Sequence, residues 1–175
     1  MEISFKHIVE LLSSLISKPS FSKEEDTTAD ALESFFKHQH IEVHRKHNNI
    51  WAKNKHFDPS RKTILLNSHH DTVKPGSDWT RDPFTPVIED EKLYGLGSND
   101  AGASLVSLIA VFLQFYDVQN LNYNLIILVS AEEEISGPNG VESVLGIIGK
   151  IDLGIVGEPT GMQMAIAEKG LMVLD

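Results

Sequence analysis

The sequence contains no cysteine. This excludes a disulfide framework, a thiolate metal site and a cysteine nucleophile, so any bound metal has to take histidine and carboxylate ligands. Cationic residues are also few: 15 Lys and Arg stand against 25 Asp and Glu, which gives a formal net charge of -10. Such a chain repels a phosphate backbone, and we therefore expect no nucleic-acid partner.

Long apolar runs are absent as well. No uninterrupted stretch approaches the roughly 20 apolar residues that a membrane-spanning helix needs, and the N-terminus lacks the basic region and small-residue cleavage site of a secretory signal. We therefore expect a cytoplasmic protein without membrane association. The length of 175 residues, 41% of them hydrophobic, suits one domain with a substantial core.

Hydrophobic periodicity predicts two helices followed by a pair of strands. Apolar residues recur at three- and four-residue spacing up to about Lys18, and again from Ala29 to about His38. Ser22 and Glu25 have the spacing of a capping box at the start of the second helix. Residues 41–54 then alternate between apolar and polar side chains, which predicts two paired strands with one solvent-exposed face.

Three continuous apolar runs predict strands that are buried on both faces. The runs cover residues 62–69, 124–131 and 151–158, and the segments 104–116 and 140–149 between them have helical periodicity. Strands that alternate with helices predict an α/β fold, with a mostly parallel central sheet and helices on both faces. A further strand is expected near the end of the chain. In such sheets ligands bind beyond the carboxyl ends of the strands.

Polar side chains follow each of the three buried strands. They are His69, His70 and Asp71 after the first, Glu132, Glu133 and Glu134 after the second, and Glu158 after the third. Residues two apart on a strand share a face, so we expect His69 and Asp71 to point together and His70 to point away. A His-x-Asp pair suits a metal site, because a ligating imidazole usually donates its second N–H to a carboxylate.

Each of these features also has a structural interpretation when it is taken alone. Asp100 precedes a long apolar helix and has the residue type of an N-cap. The glutamate run has the composition of a solvated surface. The segment "GLGSND" raises a nucleotide-binding alternative, although it lacks the third glycine of a dinucleotide fingerprint and a Walker lysine. No G-x-S-x-G sequence is present, so an acyl-serine mechanism has no visible nucleophile.

Taken together, the segments "SHHDTV", "YGLGSNDAGAS", "SAEEEISGPNG" and "VGEPTG" resemble, in the same order, those of a family of zinc-dependent amidohydrolases. The family includes acetylornithine deacetylase, succinyl-diaminopimelate desuccinylase, aminoacylase and carboxypeptidase G. The resemblance implies two divalent metal ions, with zinc as the expected metal. Mixed histidine and carboxylate ligands also suit cobalt and manganese, which are the alternatives. The resemblance implies these ligands: His69 and Glu158 for one ion, Glu134 for the other, and Asp100 bridging both.

The resemblance also implies a reaction. Asp71 would orient His69, and Glu133 would be the general base that takes a proton from the attacking water and delivers it to the departing amine. The implied substrate is a small N-acyl amino acid, and "GLGSNDAG" is most similar to the acetylornithine deacetylase branch. An aminopeptidase or dipeptidase of the same chemistry is the near alternative. A non-catalytic metal- or nucleotide-binding module is the alternative from another class.

Two departures from the family pattern bear on these expectations. Gly102 stands where the family often has a lysine, two residues after the bridging aspartate. The family also takes a further histidine ligand from late in the chain and inserts a smaller lid or dimerisation domain, through which a homodimer would form. Neither is present in residues 1–175. We therefore expect this chain to be the N-terminal part of a catalytic domain, with little activity alone.

Overall fold

The computed structural model describes residues 4–167, and a five-stranded mixed sheet forms its centre. The strands of this sheet are β1 (His44–Lys46), β2 (Asn49–Lys53), β3 (Thr63–His69), β6 (Asn124–Ser130) and β7 (Leu153–Val156). Their order is β1-β2-β6-β3-β7. β3 is parallel to both β6 and β7, whereas β2 runs antiparallel to β1 and β6. Four strands thus share one direction, which confirms the mostly parallel sheet.

The parallel register brings the carboxyl ends of three strands to one edge. His69 at the end of β3 lies opposite Ser130 at the end of β6. On the other side of β3, Asn67 lies opposite Val156, the last residue of β7. Whatever follows these strands in the sequence therefore emerges at the same place.

The helices cover both faces of the sheet, as expected. They are α1 (Phe5–Ile16), α2 (Asp26–His38), α3 (Ser104–Phe115) and α4 (Glu142–Ile148). Alternate residues of β6 point to opposite sides, so Ile127 packs in the core with α1, α2 and α3, while Ile126 and Leu128 pack in the core with α4. All seven residues of β6 are buried, which accounts for its continuous apolar run.

Helix α3 lies in the larger of the two cores. Leu105, Ile109 and Phe112 have no exposed surface, and full burial of such a side chain stabilises the fold by roughly 1.5–3 kcal/mol. The stretch Ser98–Phe115 has a mean hydropathy of 1.2 over 18 residues, which by length and composition alone would suit a membrane span. Because core helices share this composition, the stretch is weak evidence for one.

The sequence pattern predicted the wrong solvent exposure for two strands. β2 was expected to have a solvent-exposed face, but Ile50 and Ala52 pack into one core and Trp51 into the other. The run at 151–158 was expected to be buried, but β7 is an edge strand whose four residues are all exposed. An apolar run reports the composition of a strand but not the number of layers that cover it.

Two further stretches bear on the expectations from sequence. The irregular segment between β3 and α3 contains a two-stranded hairpin, formed by β4 (Val87–Glu89) and β5 (Lys92–Tyr94). The strand expected near the end of the chain is absent from residues 162–167, and the rest of that prediction lies outside the described residues.

Candidate metal centre

His69 lies at the centre of the strand-end cluster. Its side chain is 1% exposed, and its Nδ1–H group donates to the backbone oxygen of Asp71 at 3.0 Å. The carboxylate oxygen Oδ1 of Asp71 lies 3.3 Å from the same Nδ1 atom. This contact holds the ring in one orientation and turns Nε2 toward the edge of the sheet. As expected from strand geometry, Asp71 and His69 lie together, whereas the His70 ring contacts Thr28 and Asn48 on the other side.

Carboxylates surround the Nε2 atom of His69. Asp100 Oδ1 lies 3.3 Å away, Glu158 Oε2 lies 3.7 Å away and Glu133 Oε2 lies 3.8 Å away. Three possible ligand atoms, one each from His69, Asp100 and Glu134, all lie within 4.8 Å of one another. The structure thus brings together the six residues to which the resemblance gave a metal-binding or catalytic role, and leaves His70 and the Glu132 side chain outside the cluster. The metal-binding and catalytic roles of these six residues remain predictions.

The electrostatics of this cluster favour a bound cation. Burial raises the pKa of Glu134, and the nearby Asp100 carboxylate raises it further. The pKa of Glu158 is likewise raised by burial and by its acidic neighbours, although His69 partly offsets this. Carboxylates held this close destabilise one another in the ionised form, and a divalent cation relieves that repulsion.

The His69 imidazole responds to the same acids in the opposite direction. Burial alone would lower its pKa, but the Asp71 carboxylate, followed by Glu158 and Glu133, raises the pKa to about 9. Without a cation the ring therefore carries a proton at neutral pH. A metal that binds Nε2 has to displace that proton, so metal affinity at this site depends on pH.

Asp71 holds the glutamate segment as well as His69. Its side chain is fully buried, with Oδ1 accepting the Glu133 N–H and Oδ2 accepting the Glu134 N–H, both at 3.1 Å. Ser22 Oγ also donates to Oδ2, at 2.7 Å. Burial would raise the pKa of Asp71, but the contact with His69 and these hydrogen bonds lower it. Asp71 is thus an ionised anchor between two strand ends.

Asp100 reaches the site without acting as the helix cap that its position suggested. Its backbone is non-helical, its peptide bond to Ala101 is cis, and the N-cap of α3 is Ala103. Gly102, which stands where the family often has lysine, packs against the Gly97 carbonyl oxygen and Leu12. A side chain does not fit there without movement of the backbone, so the absence of lysine matches the local packing.

Sequence reasoning missed the contribution of the segment before α2. Helix α2 begins at Asp26 and its N-cap, Glu25, makes no side-chain capping bond, so the capping-box prediction was wrong. Ser22 instead donates to Asp71, and Glu25 Oε1 accepts the Glu132 N–H at 3.1 Å. Serine and glutamate at this spacing have the pattern of a local capping box, but Asp71 and Glu132, the partners that link them to the site, lie far away in the sequence.

The donor set suits a divalent metal. An imidazole with several carboxylates is a ligand combination that zinc accepts, as do cobalt and manganese. The acids are partly open to solvent: the side chains of Glu133 and Asp100 are 52% and 58% exposed. A small molecule therefore has access to the cluster. Buried His69 and Asp71 supply the rigid base of the site.

Comparison with known proteins identifies the family. The model for "Peptidase family M20/M25/M40" matches residues 65–169, which is more than half of the chain and includes every residue of the cluster. The chain belongs to this family. The match begins within β3, so α1, α2 and the segment between them lie outside it.

Relatives with curated names include a desuccinylase and a deacetylase. A succinyl-diaminopimelate desuccinylase of Wigglesworthia glossinidia brevipalpis is 36% identical over 123 residues, which are 66% of this chain and 32% of that protein. An acetylornithine deacetylase of Salmonella paratyphi B is 41% identical over 111 residues, or 61% of this chain and 28% of that protein. The chain thus spans about a third of the length of the curated relatives it matches.

Solved structures of the family share the fold. The M20 family metallo-carboxypeptidase Sso-CP2 of Sulfolobus solfataricus has a TM-score of 0.70 at 26% identity, over 86% of this chain and 37% of that one. The YXEP protein of Bacillus subtilis, described as a dinuclear metal binding peptidase, has a TM-score of 0.65 at 18% identity, over 86% of this chain and 42% of that one. These likenesses confirm the α/β architecture.

Proposed function

We propose that this chain is the N-terminal part of a metal-dependent amidohydrolase that hydrolyses the amide bond of an N-acyl amino acid, as acetylornithine deacetylase does. One observation carries the proposal: His69 Nε2 faces the carboxylates of Asp100, Glu133 and Glu158 within 3.8 Å. The named relatives support hydrolysis of small acyl amino acids, since both remove an acyl group by name.

We assign the metal ligands from the resemblance and the geometry together. The proposed ligands are His69 and Glu158 for one ion, Glu134 for a second, and Asp100 between the two. His69, Asp100 and Glu134 already offer atoms within 4.8 Å of one another. Zinc is the proposed metal, with cobalt and manganese as alternatives that suit the same ligands.

Glu133 is the proposed general base. A divalent metal in this site supplies Lewis acidity, polarising the scissile carbonyl and lowering the pKa of water. Glu133 Oε2 would take the proton of the attacking water and then give it to the departing amine. Its backbone N–H donates to Asp71, which fixes where the side chain starts, and the half-exposed carboxylate leaves room for substrate.

The remaining assignments concern the whole protein. We propose that residues 1–175 are followed by a lid or dimerisation domain and by a last catalytic segment with a further histidine ligand. A homodimer would form through that lid. We also propose a cytoplasmic location and a place in amino-acid biosynthesis such as that of arginine, with no nucleic-acid partner and no membrane association.

An aminopeptidase or dipeptidase is the second candidate. Among the solved structures, the Saccharomyces cerevisiae protein Dug1p, described as a dipeptidase, covers 87% of this chain with a TM-score of 0.67 at 18% identity. That likeness supports the shared fold and leaves the substrate to experiment.

For the non-catalytic alternative, nucleotide-dependent thermal stabilisation in the absence of metal would favour binding through "GLGSND".

The test combines a substrate panel with a change at Glu133 in the complete gene product. The purified protein is assayed for metal content and for hydrolysis of N-acetyl and N-succinyl amino acids and of free dipeptides. We expect turnover of an acyl amino acid. Glu133→Ala should abolish turnover and leave the metal content nearly intact, because a general base is not a ligand.

The outcomes separate the candidates. Turnover of dipeptides without turnover of acyl amino acids would replace the deacylase assignment by the peptidase. Full activity of Glu133→Ala would reject the role of Glu133. Glu142→Ala is the matched control, since Glu142 is an exposed glutamate in the first turn of α4 and is not one of the cluster residues.

A further inference from the structure

Buried carboxylates hold three consecutive backbone amides of the glutamate segment. The Glu132 N–H donates to Glu25, and the next two amides, those of Glu133 and Glu134, donate to Asp71, all at 3.1 Å. The backbone that carries the proposed base and a proposed ligand is therefore fixed from two other parts of the chain. Asp71 follows β3, whereas Glu25 lies just before α2.

The backbone at Glu132 needs such support. Its φ angle is +53°, in the left-handed region that L-residues seldom occupy because it is sterically strained. The Glu132 side chain is also tied down, because its two oxygens accept from the backbone and side-chain N–H groups of Asn139. These hydrogen bonds hold the turn from both its backbone and its side chain.

Glu25 is well placed to act as such a partner. It is 1% exposed, and its Oε1 accepts the N–H groups of Lys23 at 2.8 Å and Glu132 at 3.1 Å. Its Oε2 accepts from the side-chain amide of Asn48, also at 3.1 Å. Both oxygens thus bind N–H donors, and the carboxylate links α2, the β1–β2 turn and the glutamate segment.

We propose that Glu25 is a positioning residue for the site. By accepting the Glu132 N–H, it fixes the backbone of this segment and so sets the direction in which the side chains of Glu133 and Glu134 point. The inference rests on the proposed function for the roles of those two glutamates. Glu25 itself does not reach the reacting atoms. It lies 40 residues before the segment that matches the family model, which starts at residue 65.

Two substitutions separate positioning from charge. Glu25→Gln removes the charge and keeps an oxygen that can accept both backbone N–H groups. Its amide group takes the place of Oε2 and faces the Asn48 side-chain amide, so this variant gives up the bond to Asn48 but keeps the bond to Glu132. Glu25→Asp keeps the charge but is one methylene shorter, so it cannot reach Glu132 and Asn48 together. A positioning role predicts that Gln is tolerated better than Asp. An electrostatic role predicts the reverse order. Glu24→Gln, at the exposed neighbouring position, is the matched control.

The experiment measures kcat, KM and Co²⁺ affinity in the complete gene product. Glu25→Asp should lower kcat at least tenfold with KM within about twofold, and it should weaken Co²⁺ binding by roughly tenfold, as loss of a residue that orients metal ligands does. Glu25→Gln should stay within about threefold of the wild type. The proposal is overturned if Glu25→Asp lowers kcat and Co²⁺ affinity no more than Glu24→Gln does. It is also overturned if Glu25→Gln lowers them as much as Glu25→Asp does.

Two measurements keep the result decisive. If the wild type hydrolyses none of the substrates, the proposed function fails, whereas the order of Co²⁺ affinities still tests positioning. If Glu25→Asp does not fold, hydrogen exchange of the Glu132 amide in Glu25→Gln replaces it. The neutral amide is a weaker acceptor than the carboxylate, so we expect exchange to be several-fold faster than in the wild type. Unchanged exchange would overturn the proposal.

Discussion

Replacement of Asp71 by asparagine should destabilise the protein more than any exposed Asp→Asn change. Asp71 is fully buried and accepts hydrogen bonds from Ser22 and from the backbone N–H groups of Glu133 and Glu134. An asparagine of the same shape has one acceptor oxygen, and its amide group must face at least one of those donors. The change therefore leaves a buried N–H without a partner.

The expected loss of unfolding free energy is about 2–4 kcal/mol. An unsatisfied buried donor costs roughly 1–3 kcal/mol, and each hydrogen bond that survives is weaker because it is no longer charge-assisted. The assay is urea unfolding of the metal-free complete protein, which separates this loss from any loss of metal binding. Asp78→Asn, at an exposed position, is the control and should change the free energy by less than about 0.5 kcal/mol.

A double-mutant cycle with Ser22→Ala tests the same reasoning. Because Ser22 donates directly to Asp71, the two substitutions should be coupled by about 1 kcal/mol rather than additive. If Asp71→Asn unfolded at the same urea concentration as Asp78→Asn, the three hydrogen bonds to Asp71 would not carry the stability assigned to them, and its role as an anchor would be refuted.

Two further predictions concern buried positions near the site. Burial lowers the pKa of His70 from its ordinary value of 6.5. As the pH falls, the unfolded chain therefore takes up a proton at this ring before the folded protein does. The neutral ring contributes its full stabilisation above about pH 6.5, and this contribution is lost as the pH falls below that value. The difference in unfolding free energy between the wild type and His70→Gln should therefore narrow between pH 7.5 and pH 5.5, and a constant difference would contradict a neutral, buried ring. Gly102→Ala should lower the unfolding free energy by roughly 1–3 kcal/mol, because the new Cβ would overlap neighbouring atoms. Gly76→Ala is the control and should not lower it, since no atom lies within 4 Å of a Cβ at that position. If the two variants had the same unfolding free energy, the atoms around Gly102 would have moved to accept the methyl group.

Much of the fold could be predicted because it depends on local periodicity. The apolar runs located β3 and β6 within one residue of their bounds, and helical spacing located α3. The same signal did not distinguish β6, which is buried throughout, from β7, which is exposed at the edge of the sheet. The two runs have similar composition, and their difference lies in how many neighbours the completed sheet gives them.

The candidate site divides in the same way. The period of two along β3 was enough to place His69 and Asp71 together, and the parallel order of strands was enough to bring Glu158 to the same edge. The second role of Asp71, as acceptor for the glutamate segment, has no local signature. Its donors come from residues more than 60 positions away along the chain.

The sequence alone determined the class of the fold, the strand ends at which the acids and the histidine collect, and the absence of thiolate chemistry, because each follows from residue type and short-range spacing. Only the tertiary structure decided that Ser22 donates to Asp71 and that Glu25 accepts the Glu132 N–H, where the sequence pattern had predicted a helix cap. A hydroxyl or a carboxylate near a helix start has the same local pattern in either case, and its partner is chosen by which distant donor the folded chain brings within about 3 Å.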